Sequence, residues 1–333
     1  MSPPPEPEIP REPVAPEDPD DDLAFRDGRI HITARQRRAD ALTLGSLLLH
    51  LPHVAMSAAV VFLVSYVIDA LVGLPWWACV GAWALSGALV FHRPSERVLA
   101  RHLFGLRHPT PGERRRFGPV WREVTARAGV NGDAYQLWVE DSDGINAMAA
   151  AGHIVGVTSH SLNELPSAQL GGVLAHELGH HTRGHAWASL LGYWYALPGR
   201  IAWRVLLRLA SFIDRLSVGA TVAVVALTGA AVLAVAVATY GLVLLPLVTP
   251  YLVAAVARRS ELRADQHAAA LGFAPQLMAV LRKEQAGQES ERATAAALGS
   301  PLRAPGLIAR LLSSHPDLHT RLHHLQEGMD GGR

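Results

Sequence analysis

The stretch "VLAHELGHHTRGH", Val173 to His185, holds four of the chain's seventeen histidines. His176 and His180 stand four residues apart, as do His181 and His185. Only the first pair has a glutamate directly after its first member, Glu177; the second has Thr182 in that place. From about Pro166 the apolar positions Leu170, Val173, Leu174 and Leu178 recur at helical spacing, so the stretch reads as a helix reaching Gly184. Residues i and i+4 share a helix face, so His176 and His180 present two imidazoles to one ion. Glu177, about 100° around the helix, reaches a water on that ion. The metal this HExxH pattern implies is zinc, one Zn2+ per chain, with Glu177 as the base of a hydrolytic reaction.

A catalytic zinc site takes a third protein ligand and keeps one position open for water. The HExxHxxGxxH arrangement is excluded, because Arg183 and Ala186 occupy its glycine and final histidine positions. A later stretch, "RRSELRADQHAAALG" from Arg258, places Glu261 and Asp265 four apart on one helix face. Glu261 is then the candidate third ligand, with Asp265 behind it as support for the site. Taken alone, the same stretch also reads as a solvated amphipathic helix with arginine pairs. His181 and His185 are assigned to structure, since a second metal there would lack an adjacent acidic base.

Half of the 333 residues are apolar and the mean hydropathy is +0.17, high for a soluble globule, so membrane spans are expected. The 30 basic residues nearly balance the 29 acidic ones and form no stripe with interleaved aromatics, which argues against nucleic acid as a partner. Only Lys283 among the basic residues is a lysine, and alanine, glycine and proline are abundant, which suggests a high-GC bacterial genome. The single cysteine, Cys79, excludes a disulfide framework and a cysteine-based zinc site. Residues 1–40 read as a disordered tail: the first twenty-two hold eight prolines and eight acids and lack the basic start and short apolar run of a signal peptide.

Residues 41–92 read as a transmembrane hairpin. No charge occurs from Ala41 to Ile68, and a second apolar run extends from Leu71 to Phe91. Arginines precede the first run and follow the second, which places both ends of the hairpin on the cytoplasmic side. His50, Pro52 and His53 mark either a polar site within the first run or an interfacial or bundle-facing structural position. Residues 107–186 have the composition of a soluble domain, with "YQLWVE" and "HIVGVTSHSL" read as strands. Residues 187–257 read as an interfacial helix with Arg200, Arg204 and Arg208, followed by a second hairpin in the uncharged tract Val218 to Ala257, turning near Tyr240 and Gly241. The competing reading makes residues 187–212 a span and the later tract one long kinked helix. Either way an even number of crossings keeps His180 and Glu261 on one side. Residues 258–326 complete the metal domain, and 327–333 form a short tail.

With both motifs in view, the sequence resembles the integral-membrane zinc endopeptidases of the HtpX type and the related CAAX prenyl endopeptidases. "LAHELGHH" and "RRSELRADQHAAALG", with apolar tracts between them, match that pattern, and the likeness extends from about Arg107 to Leu325. The resemblance implies an α+β, mainly helical fold: a zincin-like catalytic domain with a small edge-strand sheet, joined to a transmembrane bundle of about four spans. It also implies that "INAMAAAGHIVGVT" contains an edge strand that pairs with an extended peptide, placing Asn146 and Ala147 at the rim of the cleft. In "SSHPDLHTRLHHL" it implies that His315 stabilises the oxyanion and that Arg321 pairs with Asp265. His319, His323 and His324 crowd the same helix, and a surface histidine cluster is the other reading of that segment.

The expected function is hydrolysis of peptide bonds in membrane-associated or misfolded polypeptides, at the cytoplasmic face of a bacterial inner membrane, with the bilayer as a further partner. Three other readings stand beside it: a CAAX-type protease acting on prenylated peptides, a sensor protease cutting one partner, and a zinc-binding structural protein without turnover. A structural site would have no use for Glu177, and no segment outside the apolar tracts is long enough for a separate sensor domain.

Overall fold

The computed structural model describes residues 41–102, 104–150, 152–182, 185–210, 245–298 and 311–330, with a few isolated positions between 218 and 230. It is mainly helical, with one small sheet. The readings of residues 1–40, of Arg183 and Gly184, of the turn near Tyr240 and of the tail 331–333 lie outside the described residues.

The first apolar run forms α1 (Ala41–Val72), and Gly73, at φ 75°, turns the chain. The second run is broken at residues 73–75. It forms α2 (Trp76–Ser86) and a 3-10 turn (Gly87–Phe91) rather than the continuous span expected from Leu71 to Phe91. Among the described residues only Thr43–Val72 makes a helix long and apolar enough to cross a membrane, and Trp76–Phe91 is apolar but shorter. A helix of 32 residues is about 48 Å long. Its outer face exposes Leu48, Leu63, Val64, Tyr66 and Leu71, a large apolar surface of the kind that marks contact with lipid or protein.

The inner face of α1 packs on α7 (His185–Ala210) through small residues. A Cβ on Gly192 would strike the His50 ring at 2.6 Å, and one on Gly199 would meet Ser57 Oγ at 2.9 Å. Pro198 interrupts the hydrogen-bond ladder of α7 beside that point, and the Gly199 N–H donates to Ser57 Oγ (3.0 Å). His50 thus has a bundle-facing structural position, and its Nδ1 lies 2.7 Å from the Ser46 carbonyl oxygen.

α3 (Arg93–His102) leads into β1 (Leu106–Arg107), and α4 (Pro111–Ala128) starts at a Thr110 capping box and ends at Gly129 with φ 66°. β2 (Gln136–Glu140), β3 (Ala147–Ala150) and β4 (Ile154–Thr158) complete a mixed sheet of order β1-β2-β4-β3. β2 and β4 are parallel; the other two pairings are antiparallel, with Ala147 opposite Val157 and Ala150 opposite Ile154. β3 is therefore an edge strand.

The stretch "HIVGVTSHSL", read as one strand, is β4 followed by a short helix, α5 (Ser159–Glu164). Thr158 causes the switch: its Oγ1 accepts from the Ser161 N–H and caps the new helix.

Successive side chains of a strand face opposite sides. Trp138 and Ile154 point to a cluster with Val90, Ala100, Leu106 and Leu190, which joins the sheet to the apolar helices. Val139, Val155 and Val157 point to the main core with Phe117, Trp121, Leu174 and Phe273. That core is closed by α6 (Ser167–Thr182), α8 (Leu245–Ala270), α9 (Ala274–Ala297) and α10 (Leu318–Asp330).

Candidate metal centre

α6 is buried over most of its length because it runs between the sheet, α8 and α9, and its glycines allow the approach. A Cβ on Gly172 would come within 2.9 Å of the Leu277 backbone nitrogen. One on Gly179 would lie 3.1 Å from both Ala264 Cα and His267 Cβ. The close α6–α8 contact brings the two sequence motifs face to face.

His176 Nε2 lies 3.6 Å from Glu261 Oε2, and His180 Nε2 lies 3.2 Å from Glu261 Oε1. Ligand atoms about 2.0–2.1 Å from a common tetrahedral ion are about 3.3 Å apart, so two imidazole nitrogens and one carboxylate oxygen at these separations fit zinc. All three candidate ligand atoms fall within 4.8 Å of one another, and theirs is the single such group of three or more among the described residues. Glu177, on the same helix turn, is buried and lines the same cavity.

Behind this trio the His176 Nδ1–H donates to Asp265 Oδ1 (2.8 Å), which turns Nε2 toward Glu261. Arg321 from α10 grips Asp265 with two bonds, Nε to Oδ2 (2.9 Å) and Nη2 to Oδ1 (2.6 Å). Ser260, whose Oγ lies 3.4 Å from His180 Nδ1, supports the second imidazole; its signal in the sequence was only its place directly before Glu261. His315 Nδ1 lies 3.1 Å from Glu261 Oε2, with the histidine side chain 69% exposed.

The electrostatics favour a cation. Burial would raise the Glu261 carboxyl, but His176, His180 and His315 outweigh it and hold it well below the usual carboxylate range. Asp265 is likewise held down by Arg321 and His176 against its burial. Burial opposes a charged His176, yet Asp265 and Glu261 raise it to about 9. His181 behaves in the opposite way: burial pushes it down to about 4, and its Nε2–H donates to the Ile154 carbonyl (2.8 Å). It is a neutral strut between α6 and β4, turned away from the ligands.

A cavity of about 2060 Å³ opens on the site. His176, Glu177, His180, Glu261, His315 and Arg321 all line it, as do Asn146 and Ala147 at the start of edge strand β3, whereas Asp265 lies behind. Asn146 Oδ1 accepts from the Ala147 N–H, and its backbone N–H donates to Ser161 Oγ. The residues singled out in the sequence thus come together around one cleft. On α10, His324 pairs with Gln266, His319 is exposed at the cavity lining, and His323 is exposed beside Glu327.

Among solved structures the chain is similar to the crystal structure of Ste24p from S. mikatae, with 16% identity, 88% of this chain and 68% of that chain covered, and a TM-score of 0.44. No curated protein matches. The model of peptidase family M48 matches residues 112–328, which run from α4 through both motifs to α10. That match takes in about two thirds of the sequence, and the chain belongs to peptidase family M48, a family of zinc metallopeptidases.

Proposed function

We propose that this metallopeptidase is a zinc-dependent endopeptidase held at a membrane by its apolar helices, cutting membrane-associated or misfolded polypeptides. The observation that carries the reading is the meeting of His176, His180 and Glu261 within ligand distance of one another, in a cleft shared with Glu177 and edge strand β3.

His176, His180 and Glu261 hold the metal, and Asp265 and Arg321 fix the orientation of His176. When bound, zinc supplies Lewis acidity that polarises the scissile carbonyl and brings the pKa of water to about 7. Glu177 takes the proton of the attacking water and delivers it to the leaving amine. The imidazole of His315, at the open side of the site, donates to the oxygen on which negative charge develops. Edge strand β3, which begins at Asn146 and Ala147 on the cleft rim, pairs with the main chain of an extended substrate and sets its carbonyl beside Glu177.

Residues 1–40 are a tail in this reading. Residues 41–92 form an apolar hairpin, 107–186 and 258–326 the two parts of the catalytic domain, and 187–257 the intervening helices of a bundle of about four spans. The catalytic domain faces the cytoplasm of a bacterial cell, the side on which arginines flank the hairpin. The exposed apolar residues of α1, a helix that packs on α7 and α8, favour substrates at the membrane.

The test uses detergent-purified full-length protein and an unfolded test protein as substrate. Cleavage that stops on chelation and returns with one equivalent of Zn2+ supports the reading. Undiminished cleavage after complete metal removal contradicts it.

A further inference from the structure

His315 is far more exposed than His176, His180, Glu261, Asp265 and Arg321. Its side chain is 69% exposed, and it belongs to the segment Ser313–Asp317 between helices. An exposed imidazole in such a segment would sample several positions unless its backbone were fixed. Side chains supply the fixing. Arg258, on α8 one turn before Glu261, donates through Nη1 to the Ser313 carbonyl (2.8 Å) and to the Leu311 carbonyl (3.1 Å). Ser313 Oγ donates to the carbonyl of His315 itself (2.9 Å), and Asp317 Oδ1 accepts from the Thr320 N–H at the start of α10 (2.8 Å).

Positions 258 and 261 lie on nearly the same side of a helix, about 4.5 Å apart along its axis. The helix that presents the third ligand therefore also holds the main chain that presents His315, and the distance between the two is set by one rigid element. Arg258 lines the cavity, and its bonds to residues 311 and 313 end on main-chain carbonyls rather than on His176, His180, Glu261 or Glu177.

We propose that Arg258 is a positioning residue for His315: by clamping the Leu311 and Ser313 carbonyls to α8, it keeps that imidazole at the metal site during turnover. This rests on the reading of His315 as the group that donates to the developing oxyanion. It predicts an effect on turnover that passes wholly through His315 and leaves metal binding alone.

The experiment is a double-mutant cycle on zinc-loaded, detergent-purified full-length protein, reading kcat, KM and zinc content for Arg258→Ala, His315→Ala and the double variant. Arg258→Ala is expected to lower kcat about 10-fold or more, with KM changed less than about 2-fold and one zinc retained. In the His315→Ala background the same substitution should change kcat by less than about 2-fold, because the group it positions is gone. Ser313→Ala, which removes only the hydroxyl bond to the His315 carbonyl, should give a smaller loss that also vanishes in that background; it carries the test if Arg258→Ala does not fold. Arg258→Lys, with one donor group where the guanidinium has a fork, should fall between wild type and Arg258→Ala.

Full additivity of the Arg258 and His315 effects, wild-type turnover in Arg258→Ala, or loss of zinc from it would each overturn the proposal. Wild-type turnover in His315→Ala would overturn it too, while leaving the metal reading intact. Failure of the broader reading looks different: His176→Ala would cleave as well as wild type.

Discussion

Asp265 Oδ1 lies 2.8 Å from His176 Nδ1 and 2.6 Å from Arg321 Nη2, so one buried carboxylate oxygen joins a proposed metal ligand to a cation 145 residues away in sequence. A carboxylate in this place fixes the tautomer and direction of the imidazole and raises its basicity as a ligand. Replacing Asp265 with Asn should keep the shape and weaken both effects, lowering zinc affinity by about 10- to 100-fold in competition with a calibrated chelator. An unchanged affinity would mean that Asp265 serves folding alone.

Arg321→Ala should be costly in a different way. It leaves Asp265, whose side chain is 0% exposed, as a buried charge without its cation, a loss of about 3 kcal/mol or more. Thermal unfolding of the zinc-loaded protein should show a fall in Tm of several degrees, larger than that of Asp265→Asn, which removes the charge itself.

Two glycines of α6 separate packing from ligand geometry. Gly172→Ala pushes a methyl at the Leu277 backbone, where no side chain can swing aside, and should cost about 1–3 kcal/mol of stability with little change in zinc affinity. Gly179→Ala presses on Ala264 and His267 of α8, the helix that carries Glu261, and should lower zinc affinity as well as Tm. Equal zinc affinities in the two variants would contradict the placement of the third ligand by α6–α8 contact.

Glu113 gives a pH signature away from the metal. It accepts from both terminal nitrogens of Arg107 (2.8 Å each) and from the Thr110 N–H (2.7 Å). Arg107, with Thr110, lowers its carboxyl from 4.5 to about 2. A group depressed on folding contributes stability above its unfolded pKa and loses it as pH falls toward the folded value. The Tm difference between wild type and Glu113→Gln should therefore be full near about pH 7 and clearly smaller near about pH 3.5. A difference that grows on acidification would refute the assignment.

The parts of the site that share one helix were legible in the sequence, because a period of 3.6 residues alone sets His176 beside His180 and Glu261 beside Asp265. Strands β2 and β4 were legible from their apolar runs. The change from β4 to α5 was not, since it depends on one cap at Thr158 within a stretch that still alternates. The break of the second apolar run was written in Gly73 and Pro75, but composition outweighed those breakers in a reading by hydropathy. His181 is structural, as its lack of an adjacent acid suggests, though its partner, the Ile154 carbonyl, lies on a strand that no spacing rule connects to α6. The support of His180 by Ser260 and the clamp of Arg258 on residues 311 and 313 also escaped, because contacts between residues 50 to 80 positions apart have no local period to announce them.

In the proposed mechanism Glu177 moves protons at a metal that it does not hold. Zinc content and cleavage of an unfolded test protein, compared across wild type, Glu177→Gln and His180→Ala, separate the two roles. Glu177→Gln should retain one zinc and lose turnover by at least about 100-fold, whereas His180→Ala should lose both. Turnover near the wild-type level in Glu177→Gln, with zinc still bound, would contradict the account.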